Sequence, residues 1–122
     1  MEVIVAVDFD GTLTYPHGLG DPYVINPRAV AWCKRARKLG ATLILWTCRH
    51  GEGLSKPMQD LNALGLPFGF VNRDPGQRNS SAKVNADIYV DDKSYPRGIP
   101  WHGLMRRLKK LIRLRAKGIA AE

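Results

Sequence analysis

The chain has 122 residues, 44% hydrophobic and 25% charged, a composition that suits one compact domain and excludes a second domain, a long catalytic lid or a run of solenoid repeats. Nineteen Lys and Arg against eleven Asp and Glu give a formal charge of +8, so anionic partners such as phosphorylated metabolites, nucleic acid or acidic membranes are expected. The excess is uneven, because residues 101–122 carry seven basic side chains and one acidic, whereas residues 1–100 carry twelve and ten.

In chain order, Val3 to Val7 is a β-branched run of the kind buried on both faces of a parallel sheet. It is too short for a spanning segment, follows Glu2 rather than a basic region, and ends in Asp8, so no leader or membrane span is expected. Gly11 to Asp21 predicts a loop. Asn26 and Pro27 predict the cap and first residue of a helix with the apolar stripe Ala29, Trp32, Cys33, Ala36 and Leu39, closed by Gly40. Thr42 to Trp46 predicts a second strand ending in Thr47 and Arg49. A second helix is expected from a Ser55 cap with Pro57 in its first turn, then a third strand over Phe68–Val71 and a fourth over Ile88–Val90. An amphipathic, basic helix over about 101–117 closes the chain. The alternation predicts an α/β fold, a single Rossmann-like domain over residues 1–122 with a parallel sheet, helices on both faces and no cap domain. Cys33 and Cys48 are too few for a disulfide framework, and a cytoplasmic setting is expected.

In an open parallel sheet, ligands bind beyond the carboxyl ends of the strands. Three of the expected strands place polar residues there: Asp8 and Asp10 after the first, Thr47 after the second, and Asp91 and Asp92 after the fourth, with Lys83 shortly before it. Several carboxylates in one crevice cannot all stay ionised without a compensating cation, and a hard divalent ion with oxygen ligands, Mg²⁺ foremost, resolves the repulsion. A Lys and a Thr hydroxyl opposite that ion would grip the remaining oxygens of a phosphoryl group.

The run Asp8-Phe9-Asp10-Gly11-Thr12 after a buried strand resembles the first motif of the haloacid dehalogenase (HAD) superfamily. Thr47 resembles the second motif, Lys83 the third and the Asp91-Asp92 pair the fourth, so the likeness spans residues 8 to 92 in the right order. The resemblance implies a phosphatase working through an aspartyl-phosphate. Asp8 is then nucleophile and metal ligand, and Asp10 is general acid and base with its backbone carbonyl on the metal. Thr47 and Lys83 would hold the phosphoryl group, and Asp91 and Asp92 would share metal binding in a division left open. Gly11, Thr47, Arg49 and Lys83 are expected to contact substrate, Arg49 by forking onto a second phosphate or carboxylate, while Arg73 is a weaker candidate for the rim.

HAD proteins usually carry a cap inserted after the first motif or before the third. Neither gap here has the periodicity for one, so the chain resembles small capless bacterial and phage members. The implied substrate is a phosphorylated small molecule or nucleotide, with a neighbouring subunit as a conceivable substitute lid. Two alternatives use the basic last helix: a phosphatase of nucleic-acid ends, or a non-catalytic nucleic-acid or partner-binding module on the same fold. His17 and His50 read as loop surface, Cys48 as a packed thiol, and Trp32, Trp46 and Trp101 as core.

Overall fold

A computed structural model describes residues 2–16, 22–73 and 85–118 of the chain. The β-branched N-terminal run forms β1 (Ile4–Asp8), which lies between β2 (Thr42–Trp46) and β3 (Ile88–Val90), both parallel to it. Helices α1 (Pro27–Lys38), α2 (Glu52–Ala63) and α3 (Trp101–Ala116) complete an α/β, Rossmann-like architecture. The Asn26 side chain accepts from the Arg28 N–H at 3.0 Å, and Pro27 follows it as the first helical residue, as the sequence predicts.

Strand alternation sorts the core. Val3, Val5, Val7, Leu43, Leu45, Ile88 and Val90 point to one face and meet Trp32, Cys33, Leu61, Leu104 and Leu108, so all three helices pack there. Ala6 and Ile44 point the other way, against Ile4, Trp46, Phe70 and Ala86. The expectation of helices on both faces is therefore met on one face among the described residues. The hand of the connections explains this: β1 to β2 and β2 to its outer edge run in the same direction, and right-handed crossovers place α1 and α2 on the same side. The return connection, which includes residues 74–84, lies outside the described residues.

Two elements differ from the sequence expectation. The third strand is reduced to a single parallel bridge, Val71 to Leu45, with the Leu45 N–H donating to Phe70 O at 3.0 Å and the Asn72 N–H to Leu45 O at 2.8 Å. Pro67 and Gly69 both weaken the run as a strand, and Asn72, at φ +54°, turns the chain away. Helix α2 begins at Glu52, three residues before the expected Ser55 cap, which places Pro57 inside it. Proline cannot donate to the carbonyl four residues back, that of Gly53, and the Arg49 guanidinium supplies the missing donor at 3.1 Å. Between Gly11 and Asn26 the described residues form a wide turn and one antiparallel bridge, Thr14 to Ile25, with no inserted cap.

No helix among the described residues is long and apolar enough to cross a membrane. The end of the sheet away from Asp8 is tied by Asp87. Its carboxylate accepts from the Ile4 N–H at 2.8 Å and from Arg115 Nη2 at 2.5 Å, while Arg115 Nη1 also reaches Glu2 O at 3.0 Å. Burial opposes ionisation of Asp87, but the Arg115 and Ile4 hydrogen bonds, helped by the charges of Arg115 and Arg107, outweigh it and hold the carboxyl below the usual range. Arg115 is thus a structural cation. Asp87→Ala is expected to cost about 1–2 kcal/mol at neutral pH, a fall of roughly 4–8 °C in Tm. The difference should vanish as the pH drops through the carboxylate range, because a carboxyl with a lowered folded pKa stabilises only above it; thermal melts across pH check this.

Candidate active site

Asp8 ends β1, and its Oδ1 accepts from the Phe9 N–H at 2.9 Å. The chain then makes the wide turn Phe9–Leu13, held by the Thr14 N–H on Phe9 O at 3.1 Å and by the Gly11 N–H on Thr14 Oγ1 at 3.0 Å. Asp91 and Asp92 leave β3 beside it, where the Asp91 carboxylate accepts from the Lys93 N–H at 2.9 Å and begins a short turn. Thr12, 1% exposed, accepts from the Asp92 N–H at 3.1 Å and joins the two loops. Carboxylate oxygens of Asp8, Asp91 and Asp92 thereby come within 4.8 Å of one another.

Among the described residues no ion pair compensates the charge of that cluster. Burial first, then the charge of Asp91, with Asp92 and Asp10 adding, pushes the Asp8 carboxyl up to about 7 against the Phe9 N–H. Asp92 is also raised, by burial and then by its hydrogen bond and charge interaction with Asp91. Asp92 Oδ1 is buried without a hydrogen-bond partner among the described residues, a state that costs about 1–3 kcal/mol unless some other group meets it. Three hard oxygen donors with an orphaned buried oxygen among them fit a divalent cation of the Mg²⁺ or Ca²⁺ type. The Asp10 side chain lies outside this cluster, and the metal contact the resemblance implies for Asp10 is that of its backbone carbonyl.

Both Asp10 carboxylate oxygens accept from Arg49, from Nε and Nη2 at 2.8 Å each. The same guanidinium lies 5.3 Å from the ring centroids of Phe9 and of Tyr23, which themselves meet edge to face at 5.0 Å. With its third contact on Gly53 O, Arg49 is fixed on the protein and is not the projecting substrate fork the sequence suggests. The reason is local. Pro57 leaves a carbonyl that needs a donor, and the aromatic pair offers the cation a desolvated seat facing Asp10.

Thr47, 8% exposed, sits at the end of β2. Its backbone is clasped by the Asn72 side chain, which accepts from the Thr47 N–H and donates to its carbonyl, both at 2.8 Å. Thr47 Oγ1 accepts from the Arg49 N–H at 3.1 Å. These groups line a cleft of about 430 Å³ together with Trp46, Cys48 and Lys93. Trp46 is half-buried, packing against the Ala6 and Ile44 cluster while also lining the cleft. Cys48 is exposed rather than packed, because β2 stops at Trp46 and strand alternation does not continue beyond it. Arg73 lies 5.8 Å from the Phe70 ring centroid and away from the cleft lining. Gly11, expected to touch substrate, spends its N–H on Thr14. Lys83 and His17 lie outside the described residues. Asn72, Thr12 and Lys93 are the site residues that sequence reasoning missed; Asn72 stands just past an apolar run, as Thr47 does, and that position was its one available signal.

A conserved protein from Bacteroides thetaiotaomicron, of known structure, is 32% identical to the chain over 90% of this chain and 92% of that one, with a TM-score of 0.75. The chain belongs to the family of that protein. No family model matches the chain, and no curated protein does. Membership of the Bacteroides protein's family establishes the fold and carries no chemistry with it.

Gly11 is the point where the two acidic loops touch. At φ +81° it occupies a conformation that disfavours side chains, and a Cβ there would overlap Asp92 Oδ2 and stand 2.9 Å from its Cγ. Gly11→Ala should therefore displace the Asp92 carboxylate, so that a divalent cation held by the three carboxylates would bind tenfold or more weakly, read by Mg²⁺ titration calorimetry, while circular dichroism still reports the native fold.

Proposed function

We propose that the protein is a Mg²⁺-dependent phosphomonoesterase of HAD type that passes through an acyl phosphate, an aspartyl-phosphate, on Asp8. The observation that carries this reading is the convergence of Asp8, Asp91 and Asp92 within 4.8 Å around the unpartnered Asp92 Oδ1, with Thr47 across the same cleft. Bound by those three carboxylates, Mg²⁺ would neutralise them and withdraw charge from the phosphoryl oxygens. An Asp8 oxygen attacks phosphorus as the ester P–O bond breaks on the opposite side, and Asp10, protonated from solvent once it is released from its pair with Arg49, gives that proton to the departing oxygen. Asp10 then takes a proton from water, whose oxygen attacks phosphorus, and the Asp8–phosphorus bond breaks to release inorganic phosphate. Thr47 donates to a phosphoryl oxygen, and Lys83 would add a cation by resemblance alone.

The cleft of about 430 Å³ suits a small phosphorylated metabolite or nucleotide. Use of the last helix to seat a nucleic-acid end finds no support in its placement. Its C-terminal Arg115 sits at the Glu2 and Asp87 end of the sheet, one five-residue strand or roughly 16 Å from Asp8.

Asp8→Asn is expected to abolish hydrolysis of p-nitrophenyl phosphate without unfolding the protein, and retained turnover would overturn the mechanism. The same substitution should raise the Tm of cation-free protein. A carboxyl raised from 3.8 to about 7 costs stability progressively as the pH rises between those values, so the gain should be absent near pH 4 and full above pH 7. Arg49→Met should separate leaving groups. An alkyl phosphate depends on proton donation from Asp10 and should change in kcat by about tenfold or more once Asp10 loses the partner that holds it ionised and in place, whereas a nitrophenyl ester, which leaves unaided, should change much less. Equal losses accompanied by a raised KM would make Arg49 a substrate ligand instead.

A further inference from the structure

Helices α1 and α3 both run back from the site end of the sheet, so they lie side by side and parallel. Trp32 of α1 donates its indole N–H to Trp101 O at 3.0 Å, and the two rings stand 5.9 Å apart. Neither helix contains an acidic residue, although five of the twelve residues of α1 and six of the sixteen of α3 are Lys or Arg. Two of these eleven are committed to the fold, Arg37 over the Phe68 ring and Arg115 on Asp87. The other nine are exposed, and no carboxylate among the described residues pairs with them. Between the helices runs a groove of about 210 Å³ with Trp32, Trp101 and Met105 in its floor and Arg28, Arg35 and His102 on its rims. Arg106, Lys109 and Arg113 continue the His102 flank at helical spacing, over about 16 Å.

We propose that this valley between α1 and α3 is a docking surface for the phosphate backbone of double-stranded nucleic acid. A one-sign field repeated at every turn of two parallel helices complements a uniform polyanion, whereas an acidic protein surface is a mosaic. The tryptophans are buried, 6% and 9% exposed, so no ring is offered for stacking on single-stranded bases. The apolar stripe of α3 is spent on the core, which leaves nothing to enter a membrane. The surface lies on the helix-covered face, whereas the cleft opens at the strand ends beside Trp46. Binding there would hold the protein on a duplex without presenting that duplex to Asp8. This inference does not depend on the phosphatase reading.

The test is fluorescence anisotropy with a random-sequence DNA duplex, wild type against Arg35→Gln/Lys109→Gln and against the control Arg97→Gln/Arg107→Gln, which removes equal charge off the valley. With about four phosphate contacts, wild-type affinity should fall about 10²-fold between about 50 and 200 mM salt. The valley pair should weaken binding at least tenfold and lower the logarithmic salt slope by about two, the control pair should do much less, and hydrolysis of p-nitrophenyl phosphate should be unchanged in both. Absence of duplex binding at the lower salt, equal losses in the two pairs, or equally tight binding to poly-glutamate or to phosphatidylserine vesicles would overturn the proposal.

Discussion

Crowding of like charges at the ends of parallel strands is the constraint around which the molecule is arranged. Asp8, Asp91 and Asp92 are brought together by strand order, since β1 and β3 are neighbours and both end at the same level. The backbone then enforces their proximity: the Asp92 N–H is fixed on Thr12, and Gly11 leaves room for the Asp92 carboxylate where any side chain would displace it. Folding energy from the apolar faces of the sheet holds an arrangement that electrostatics alone would push apart. Such stored repulsion is common at functional sites, and the buried Asp92 oxygen finds no partner among the described residues to relieve it.

Compensation takes a different form for Asp10. Its charge is met by Arg49, which is held in turn by two aromatic rings and by the carbonyl that Pro57 leaves without a donor. One guanidinium thus connects the turn after β1, the loop after β2 and the first turns of α2. Tyr23, two residues before the Ile25 bridge, also donates to Asp60 of α2 at 2.5 Å, so the seat of Arg49 is tied to the helix layer. The far end of the sheet has its own ion pair in Asp87 and Arg115. In both places a cation that looks surplus in the charge balance is consumed by structure, and the field left over lies on the outer faces of α1 and α3.

The periodic elements were legible because apolar spacing is a local property. The strands at Val3–Val7 and Thr42–Trp46, the Asn26-Pro27 start of α1 and the extent of the last helix appear where the residues predict them. Departures have both distant and local causes. Ser55 is a good cap, yet Arg49 supplies the donor that lets α2 run through Pro57; Phe68–Val71 has strand composition, yet Pro67, Gly69 and the positive φ of Asn72 leave it a single bridge. Cys48 was misplaced because the end of a strand decides which way the following side chains face.

For the candidate site, the sequence by itself determined which chemistry is on hand: carboxylates and a hydroxyl at strand ends, in an order that resembles the HAD motifs. It determined no partners, because a carboxylate's neighbours across the sheet are separated from it by tens of residues. Tertiary structure decided that Asp8, Asp91 and Asp92 form the acidic cluster while Asp10 turns to Arg49. It also decided that Thr12 and Asn72 do the holding, and that the charge of the last helix joins that of α1 in one continuous face. Residue type is encoded locally, whereas charge compensation depends on which loops the strand order brings within a few ångströms of one another.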